Sequence, residues 1–306
     1  MARKPRWEFA GAHYHVISRG NYRKPLFTMD GSGAAFEKAL FEVAERCGWK
    51  LHAYVVMGNH YHLALETPEP NLVEGMKWLQ STFANRFNRF HGETGHVFQG
   101  RYKSLILEPG TPLLQCVNYI HLNPVRAGIL SLETLKDYRP GSFHHFRKKR
   151  VLPEWLVRSS FLRELGLPDS LNGMKLYQKH LEESDACDPA KKAELSKQFI
   201  RGWAIASKAY RKEVLERFQE EQEAGDWGGI ELKEFRESKW ERFVLEALAG
   251  RKKSEADLAN SQKAADWKVE IARELRAKTT ATNPWIANRL RMGHPSRVSN
   301  LVNKQI

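Results

Sequence analysis

Hydrophobic and polar positions in the first 130 residues follow two different periods. A period of two, rich in β-branched and aromatic residues, predicts strands at residues 12–19, 49–57, 60–66 and 97–108. Apolar residues three or four apart predict amphipathic helices over residues 33–47 and 71–90. A shorter helix is predicted over residues 112–123, with Pro112 at its start and Pro124 closing it.

The predicted order of these elements is β-α-β-β-α-β, followed by a helix. This order is the split-βαβ, ferredoxin-like arrangement, an α+β fold with an antiparallel sheet. Gly58-Asn59, between the second and third strands, is a strong hairpin signal. Helices on one face of such a sheet would leave its other face free for a ligand.

The rest of the chain predicts helices and a different composition. Residues 155–245 are helical in pattern and highly charged, and residues 255–306 predict a small helical domain. We therefore expect three parts: a first domain over residues 1–145, a charged helical linker region over residues 146–250, and a helix-turn-helix-like domain over residues 251–306.

The net charge of the chain indicates the class of partner more clearly than its overall composition does. The 306 residues carry a formal net charge of +13, which favours a polyanionic partner such as nucleic acid. The excess lies near both ends, because residues 1–150 hold 21 basic and 12 acidic residues and residues 271–306 hold seven and one. A hydrophobic content of 42% is typical of a packed globular protein and argues against disorder.

The cysteines and the apolar runs of the chain indicate its cellular location. Cys47, Cys116 and Cys187 are scattered and form no CxxC pair, which argues against a disulfide framework and against a thiolate zinc site. No apolar run approaches the roughly 20 residues that a membrane helix needs. We therefore expect no membrane partner and a cytoplasmic, nucleoid-associated location.

Two short motifs carry candidate chemistry. His60 and His62 lie two apart on a predicted strand, so both side chains point to one face, where two imidazoles could bind a divalent metal. Tyr119 and Asn123 lie four apart on a predicted helix and share a face. Each motif alone is weak, because paired surface histidines and half-buried tyrosines are common without a function.

Together the motifs carry a family resemblance. The stretches MGNHYHLALE at residues 57–66 and NYIHLNPVRAGIL at residues 118–130 combine HxH on a strand with Tyr-x-x-x-Asn on a helix. HYHVISRGN at residues 13–21 and HVFQGRYKS at residues 96–104 add to the match. Over roughly residues 5–130 the chain resembles the HUH-type tyrosine transposases of single-strand insertion sequences, and is most similar to their REP-associated branch.

The resemblance implies a mechanism and its residues. It implies that His60, His62 and Asn123 bind Mg²⁺ or Mn²⁺ and that Tyr119 attacks the scissile phosphate. The product would be a 5′-phosphotyrosine link and a free 3′-OH, so the enzyme could cut and rejoin single-stranded DNA of hairpin repeats. The resemblance leaves open whether the protein acts as a monomer or as a homodimer.

Further residues are candidates for DNA contact. The matching segments hold Arg19, Asn21, Arg101, Lys103 and Arg126, which could bind phosphates or bases. Tyr14, Tyr22 and Tyr102 could stack on unpaired bases or pack in the core. His13 and His15 form a second HxH that we expect to be structural or DNA-facing, and we expect His144 and His145 to be solvated.

The C-terminal residues 280–302 resemble a helix-turn-helix. Trp285, Ile286 and Leu290 predict a first helix, Met292-Gly293 a turn, and residues 296–302 a second helix. Arg297, Ser299 and Asn300 would then be exposed on a recognition helix that could enter a major groove.

Two other functions stay open. The chain could be a non-catalytic single-stranded nucleic-acid-binding protein, since ferredoxin-like sheets with exposed aromatics also bind RNA; no RNP-type aromatic motif is present, however. It could also be a rolling-circle replication initiator or relaxase. Those proteins usually carry extra tyrosines or helicase regions, whereas this chain has one candidate tyrosine and no Gly-rich phosphate loop.

Overall fold

A four-stranded antiparallel sheet organises the first part of the chain in the computed structural model, which describes residues 7–148, 151–185, 199, 202–223 and 230–303. The strands are β1 (Ala12–Arg19), β2 (Lys50–Val56), β3 (His60–Thr67) and β4 (Lys103–Leu107). They lie in the order β2-β3-β1-β4, and every neighbouring pair is antiparallel. This is the ferredoxin-like order, and the predicted α+β fold is confirmed.

Helices follow the strands, and the first three lie where the periodicity predicts them. They are α1 (Ser32–Cys47), α2 (Leu72–His91), α3 (Thr111–Arg126), α4 (Ser142–Phe146), α5 (Ser159–Glu164) and α6 (Leu171–Asp185). Short 3₁₀ turns occur at Asn21–Arg23 and Leu135–Asp137. A two-residue strand, β5 (Ala204–Ile205), pairs in parallel with β4 at the sheet edge and is not among the predicted strands.

Two element ends differ from the prediction. The fourth strand begins at Lys103 and not at residue 97, because Gly100 has a φ of 68° that breaks the extended backbone. Helix α3 continues through Pro124 to Arg126. The proline removes only one N–H from the last turn, and the amide of Ala127 closes that turn on the carbonyl of Asn123.

The core of the first domain lies between one face of the sheet and helices α1 and α2. Phe36 of α1 and Phe83 of α2 pack against each other, and Phe36 also packs against Tyr61 of β3. All three side chains are fully buried. The Tyr61 hydroxyl accepts a hydrogen bond from Gln80 of α2 at 3.1 Å, so the one polar atom of this tyrosine is satisfied.

The opposite face of the sheet is not free. Helix α3 packs against β2 and β3 on that face, and α5 and α6 pack against α3 in turn. His121 of α3 is buried and its two ring nitrogens lie 2.9 Å from the hydroxyls of Tyr177 and Ser142. Our expectation of an open face is therefore wrong, because the apolar stripe of α3 needs a surface to cover.

Contacts divide the chain at a different place from our three predicted parts. They form two compact units, residues 1–214 and residues 215–306. The predicted linker region over residues 146–250 is shared between them, since α5, α6 and β5 pack in the first unit while Trp240 and Val244 lie in the core of the second. The charged helices of this region also carry apolar residues, and these residues pack in the cores of the two units.

The second unit is helical. Its elements are α7 (Lys208–Glu223), which begins in the first unit, α8 (Ile230–Gly250), α9 (Glu255–Asn260), α10 (Asp266–Lys278), α11 (Asn283–Arg289) and α12 (Pro295–Asn303). Ser254 and Asp257 form a reciprocal capping box at the start of α9. Arg289 of α11 bonds the carboxylates of Glu241 and Glu255 and so ties three helices together.

A close approach of α2 to the sheet gives a stability prediction. Gly75 lies against Trp49, and a Cβ at this position would overlap the indole ring. We expect Gly75→Ala to lower the free energy of unfolding by about 1–3 kcal/mol through overpacking. Urea unfolding followed by circular dichroism measures this change. The control Gly250→Ala adds a Cβ that meets nothing within 4 Å and should not destabilise the protein; equal losses in both variants would contradict the packing argument.

Candidate active site

The candidate site lies where α3 crosses the histidine-bearing face of the sheet. His60 and His62 point to this face from β3, and Tyr61 between them points into the opposite core. The ring centroids of His60 and His62 are 5.0 Å apart. Tyr119 of α3 places its ring 5.5 Å from that of His62, edge to face. The structure thus brings together the two motifs, which are 57 positions apart at Tyr119 and His62 in the sequence.

Asn123 stands one helical turn after Tyr119. Its amide nitrogen donates to the Tyr119 carbonyl oxygen at 2.8 Å, which leaves the amide oxygen able to accept or to bind a cation. Arg126, one turn further, lies 5.9 Å from the centre of the Tyr119 ring and pairs with Asp185 at 3.4 Å. These three residues form one stripe along α3, as the i and i+4 spacing predicts.

A third histidine completes the cluster. His15 of β1 is fully buried, and its Nε2 lies 3.0 Å from Nδ1 of His62. One of these nitrogens must donate the hydrogen bond to the other. When His62 Nδ1 donates, the lone pair of His62 is on Nε2, the nitrogen that remains for a metal. We expected His15 to be structural or DNA-facing; it is buried and positions His62. Its i+2 spacing from His13 could not reveal this contact, which depends on the β1–β3 register.

Burial sets the charge of these groups. Burial lowers the pKa of His60 to about 4 and that of His15 to about 3, and it lowers the pKa of His62 well below the usual value, helped by the neighbouring His15. The rings are therefore neutral at pH 7 and keep the lone pairs that a metal requires. Burial raises the pKa of the Tyr119 phenol, which is only 8% exposed, while Asn123 partly opposes this shift.

The donor set fits a divalent cation. His60 Nδ1 lies 2.7 Å from Asn59 Oδ1, a contact that orients the ring and leaves Nε2 unused. Two neutral imidazole nitrogens and the amide oxygen of Asn123 are ligands of the kind that Mn²⁺, or Mg²⁺ with several waters, would accept. A cation held there would supply Lewis-acid polarisation of a phosphate oxygen.

Basic residues are arranged unevenly around the site. Arg19 is the β1 partner of His60 and lowers the pKa of both His60 and His62. Lys103 is exposed on β4 opposite Ile17, and its charge lowers the pKa of His15. Arg101 is exposed, and among the described residues no contact joins it to the site. The Asn21 side chain donates to the carbonyl of His96 at 3.1 Å. The structure therefore brings some, but not all, of the predicted DNA-contact residues next to the site.

Burial decides between the alternatives for several aromatic and histidine residues. Tyr14 and Tyr102 are buried, at 1% and 6% exposure, and cannot stack on bases, whereas Tyr22 is 86% exposed. His145 is not solvated: it is buried and lies 3.0 Å from Glu37 of α1, because α4 packs on the sheet edge. Phe199, which we did not single out, stacks on Tyr119 with ring centroids 4.6 Å apart.

The second unit carries the remaining predicted contacts. Helices α11 and α12 occupy the predicted positions, and Arg297 and Asn300 are exposed on α12. Ser299 is half-buried, contrary to expectation. Their role in DNA binding stays a prediction.

Comparison with known proteins finds one family model that matches the first part of the chain. Residues 8–123 match the family model described as IS200-like transposase. Over these residues the chain is similar to IS200-like transposases. The matched residues contain the four strands, α1, α2 and most of α3, and they include His60, His62, Tyr119 and Asn123. The predicted resemblance is therefore confirmed at the level of a transposase domain.

Solved structures give weaker likenesses. One is a REP-associated tyrosine transposase bound to a REP hairpin; it is 20% identical, has a TM-score of 0.41, and the match covers 51% of this chain and 91% of that one. A second is a candidate transposase from Deinococcus radiodurans R1, 22% identical with a TM-score of 0.29, covering 42% and 92% of the two chains. Because both TM-scores are below 0.5, the similarity to IS200-like transposases rests on the family model alone. No curated protein matches the chain.

Among the residues that the structure describes, no helix is both long and apolar enough to cross a bilayer.

The neutral histidines of this IS200-like domain predict a pH dependence. The pKa of His15 is about 3 and that of His60 about 4 in the folded protein, against roughly 6.5 in the unfolded chain. The unfolded state then binds more protons below pH 6.5, so stability is full above that pH and falls as pH decreases towards 4. We expect the free energy of unfolding of this domain to fall by up to about 1.4 kcal/mol per pH unit for each such histidine.

Urea unfolding at pH 7.5 and pH 5.0, in a chelator, measures this difference. His15→Phe removes one of the titrating groups and should make the domain less sensitive to this pH change than the parent protein. An unfolding free energy that is the same at the two pH values would contradict the neutral state of these histidines.

Proposed function

We propose that this chain is a metal-dependent endonuclease and strand transferase for single-stranded DNA, with Tyr119 as its nucleophile. The observation that carries the proposal is the packing of Tyr119 against His62, which unites a phenol with a pair of neutral imidazoles on one surface. Similarity to IS200-like transposases supports DNA strand cleavage as the reaction class. His60, His62 and Asn123 would hold the divalent cation, Mg²⁺ or Mn²⁺.

The chemistry proposed for Tyr119 is a single in-line displacement. Its phenolic oxygen attacks the phosphorus, the bond from phosphorus to the 3′ oxygen breaks, and a 5′-phosphotyrosine link forms. The phenolic proton leaves Tyr119, and the released 3′ oxygen takes up a proton to become a hydroxyl. Attack by another 3′-OH on the link reverses these steps and joins two strands without an external energy source.

The positive charges near Tyr119 favour a negatively charged substrate. Burial raises the pKa of the phenol, so it stays protonated until a phosphate and its cation arrive. Arg126 beside the ring and Arg19 beside His60 supply positive charge for the DNA backbone. Phe199 stacks on one face of the Tyr119 ring.

We propose hairpins of short repeats as the substrate and the second unit as an additional DNA contact. The hairpin rests on the sequence motifs at residues 57–66 and 118–130, which resemble the REP-associated branch. Exposed Arg297 and Asn300 on α12, with seven basic and one acidic residue over residues 271–306, support DNA binding by the C-terminal unit. Ser299 would contribute less, since it is half-buried.

The reaction predicts a covalent protein–DNA adduct. A labelled pool of single-stranded hairpins, incubated with protein and Mg²⁺ or Mn²⁺, should give a protease-sensitive shifted band on a denaturing gel. Tyr119→Phe should abolish the band and keep DNA affinity within about twofold, because only the nucleophilic oxygen is lost. The matched control Tyr210→Phe, a half-buried tyrosine of α7, should form the adduct normally. Tight DNA binding with no adduct in any metal would instead favour the non-catalytic binding protein.

The C-terminal contact predicts a separation of binding from chemistry. Arg297→Ala should weaken hairpin binding several-fold and reduce its salt dependence by about one phosphate contact, without changing the single-turnover rate at saturating DNA. Electrophoretic mobility shifts over a salt series measure the affinity. An unchanged affinity and salt slope would remove α12 from the DNA interface.

A further inference from the structure

A second cluster of metal-ligating side chains lies on the same sheet face as His62, at the far end of β3. His13, His52 and Glu66 each offer one ligand atom, and these three atoms all lie within 4.8 Å of one another. Glu66 is four residues beyond His62, a distance of about 13 Å along a strand. The cluster is therefore separate from the candidate active site.

An irregularity in β2 brings His52 into the cluster. Leu51 pairs with Leu65 and Ala53 pairs with Ala64, so His52 is the extra residue of a β-bulge. A bulge re-aims the side chain that it carries. The His52 ring stacks on that of His13, with centroids 5.2 Å apart and planes at 15°. One ligand candidate therefore comes from each of β1, β2 and β3.

The hydrogen bond of His13 fixes where its lone pair lies. His13 Nδ1 is 3.1 Å from the carbonyl oxygen of Gly11, which can only accept, so Nδ1 carries the proton of the neutral ring. The lone pair is then on Nε2, which lies 3.6 Å from Oε2 of Glu66. Burial lowers the pKa of His13 and favours the neutral form. A lone pair that faces a carboxylate oxygen is stabilised by a cation between them.

His52 supplies an independent sign of a missing ligand. Its Nε2 is buried and, among the residues that the structure describes, has no hydrogen-bond partner, although it lies 3.8 Å from Glu66 Oε2. The residue is 2% exposed, and burial lowers its pKa to about 3, so this contact is not an ion pair. Its Nδ1 lies 2.8 Å from the hydroxyl of Ser160. An unsatisfied buried nitrogen costs roughly 1–3 kcal/mol, which a bound cation would recover.

The donor set indicates the class of metal. Two imidazoles and one carboxylate are the ligands that bind Zn²⁺ and similar transition ions in three-ligand sites with an open position. The contacts of the two Nδ1 atoms with Gly11 and Ser160 are the outer hydrogen bonds that orient metal-bound histidines. Glu66 is 29% exposed, so solvent or a small anion could reach the open position.

We propose that His13, His52 and Glu66 form a second metal site, which binds Zn²⁺ or a transition ion of similar preference. The bound ion joins three strands of the sheet and, through Ser160, secures α5 against them. The site is distinct from His60, His62 and Asn123, and it does not depend on the proposed DNA chemistry.

Metal binding to the full chain tests the proposal without any DNA. The variant His60→Ala/His62→Ala is titrated with Zn²⁺ by calorimetry, and with Co²⁺ by visible absorption. We expect one ion per chain and a rise in the melting temperature of the first unit on addition of Zn²⁺. Adding Glu66→Gln to this variant should weaken Zn²⁺ binding at least tenfold, and adding His52→Gln should do the same.

Two features keep the test decisive. Glu66 is partly exposed, so Glu66→Gln carries the test even where His52→Gln fails to fold. The matched control His96→Gln changes an exposed histidine outside the cluster and should leave Zn²⁺ affinity unchanged. Absence of Zn²⁺ binding in the His60→Ala/His62→Ala variant, or equal binding with and without Glu66→Gln, would overturn the proposal. Loss of DNA cleavage alone would not affect it.

Discussion

The packing of α3 onto the histidine-bearing face of the sheet is the contact on which the rest of the first unit depends. It buries Tyr119 against His62 and His15, and it places Asn123 and Arg126 along the same edge. The helix needs that surface because its own apolar stripe would otherwise face water. The same packing that stabilises the fold therefore brings a nucleophile candidate to a pair of metal-ligand candidates.

Burial lowers the pKa of the histidines in this layer and raises the pKa of Tyr119, so both kinds of side chain stay neutral. It keeps the histidines neutral and so able to bind a cation, and it keeps the Tyr119 phenol protonated. The chain has a net charge of +13, but the histidines and Tyr119 of the candidate site carry no formal charge. Arg19 and Arg126 lie beside these neutral groups. DNA would bring the negative charge, and the proposed cation would balance it at the centre. Burial likewise keeps His52 of the second cluster neutral, at the other end of β3.

The sequence predicted what depends on local spacing and left out what depends on register and long-range packing. Period two and period 3.6 located the four strands and α1 to α3, and i+2 and i+4 spacing put His60 with His62 and Tyr119 with Asn123. The contact of His15 with His62 depends on which residues of β1 and β3 pair, and the position of His52 depends on a bulge. Phe199 and His145 reach their partners across long stretches of chain, which no local pattern records. Apolar positions inside the charged helices are buried in both units, which the charge pattern alone does not reveal.

The most direct test of the central claim is to identify the residue that becomes linked to DNA. The protein is incubated with a single-stranded hairpin and Mn²⁺, the adduct is digested with protease and nuclease, and tandem mass spectrometry locates the nucleotide. The account predicts one modified site, with the 5′-phosphate on Tyr119 and a free 3′-OH on the released strand. A nucleotide found on any other residue, or cleaved DNA with no linked peptide, would contradict it.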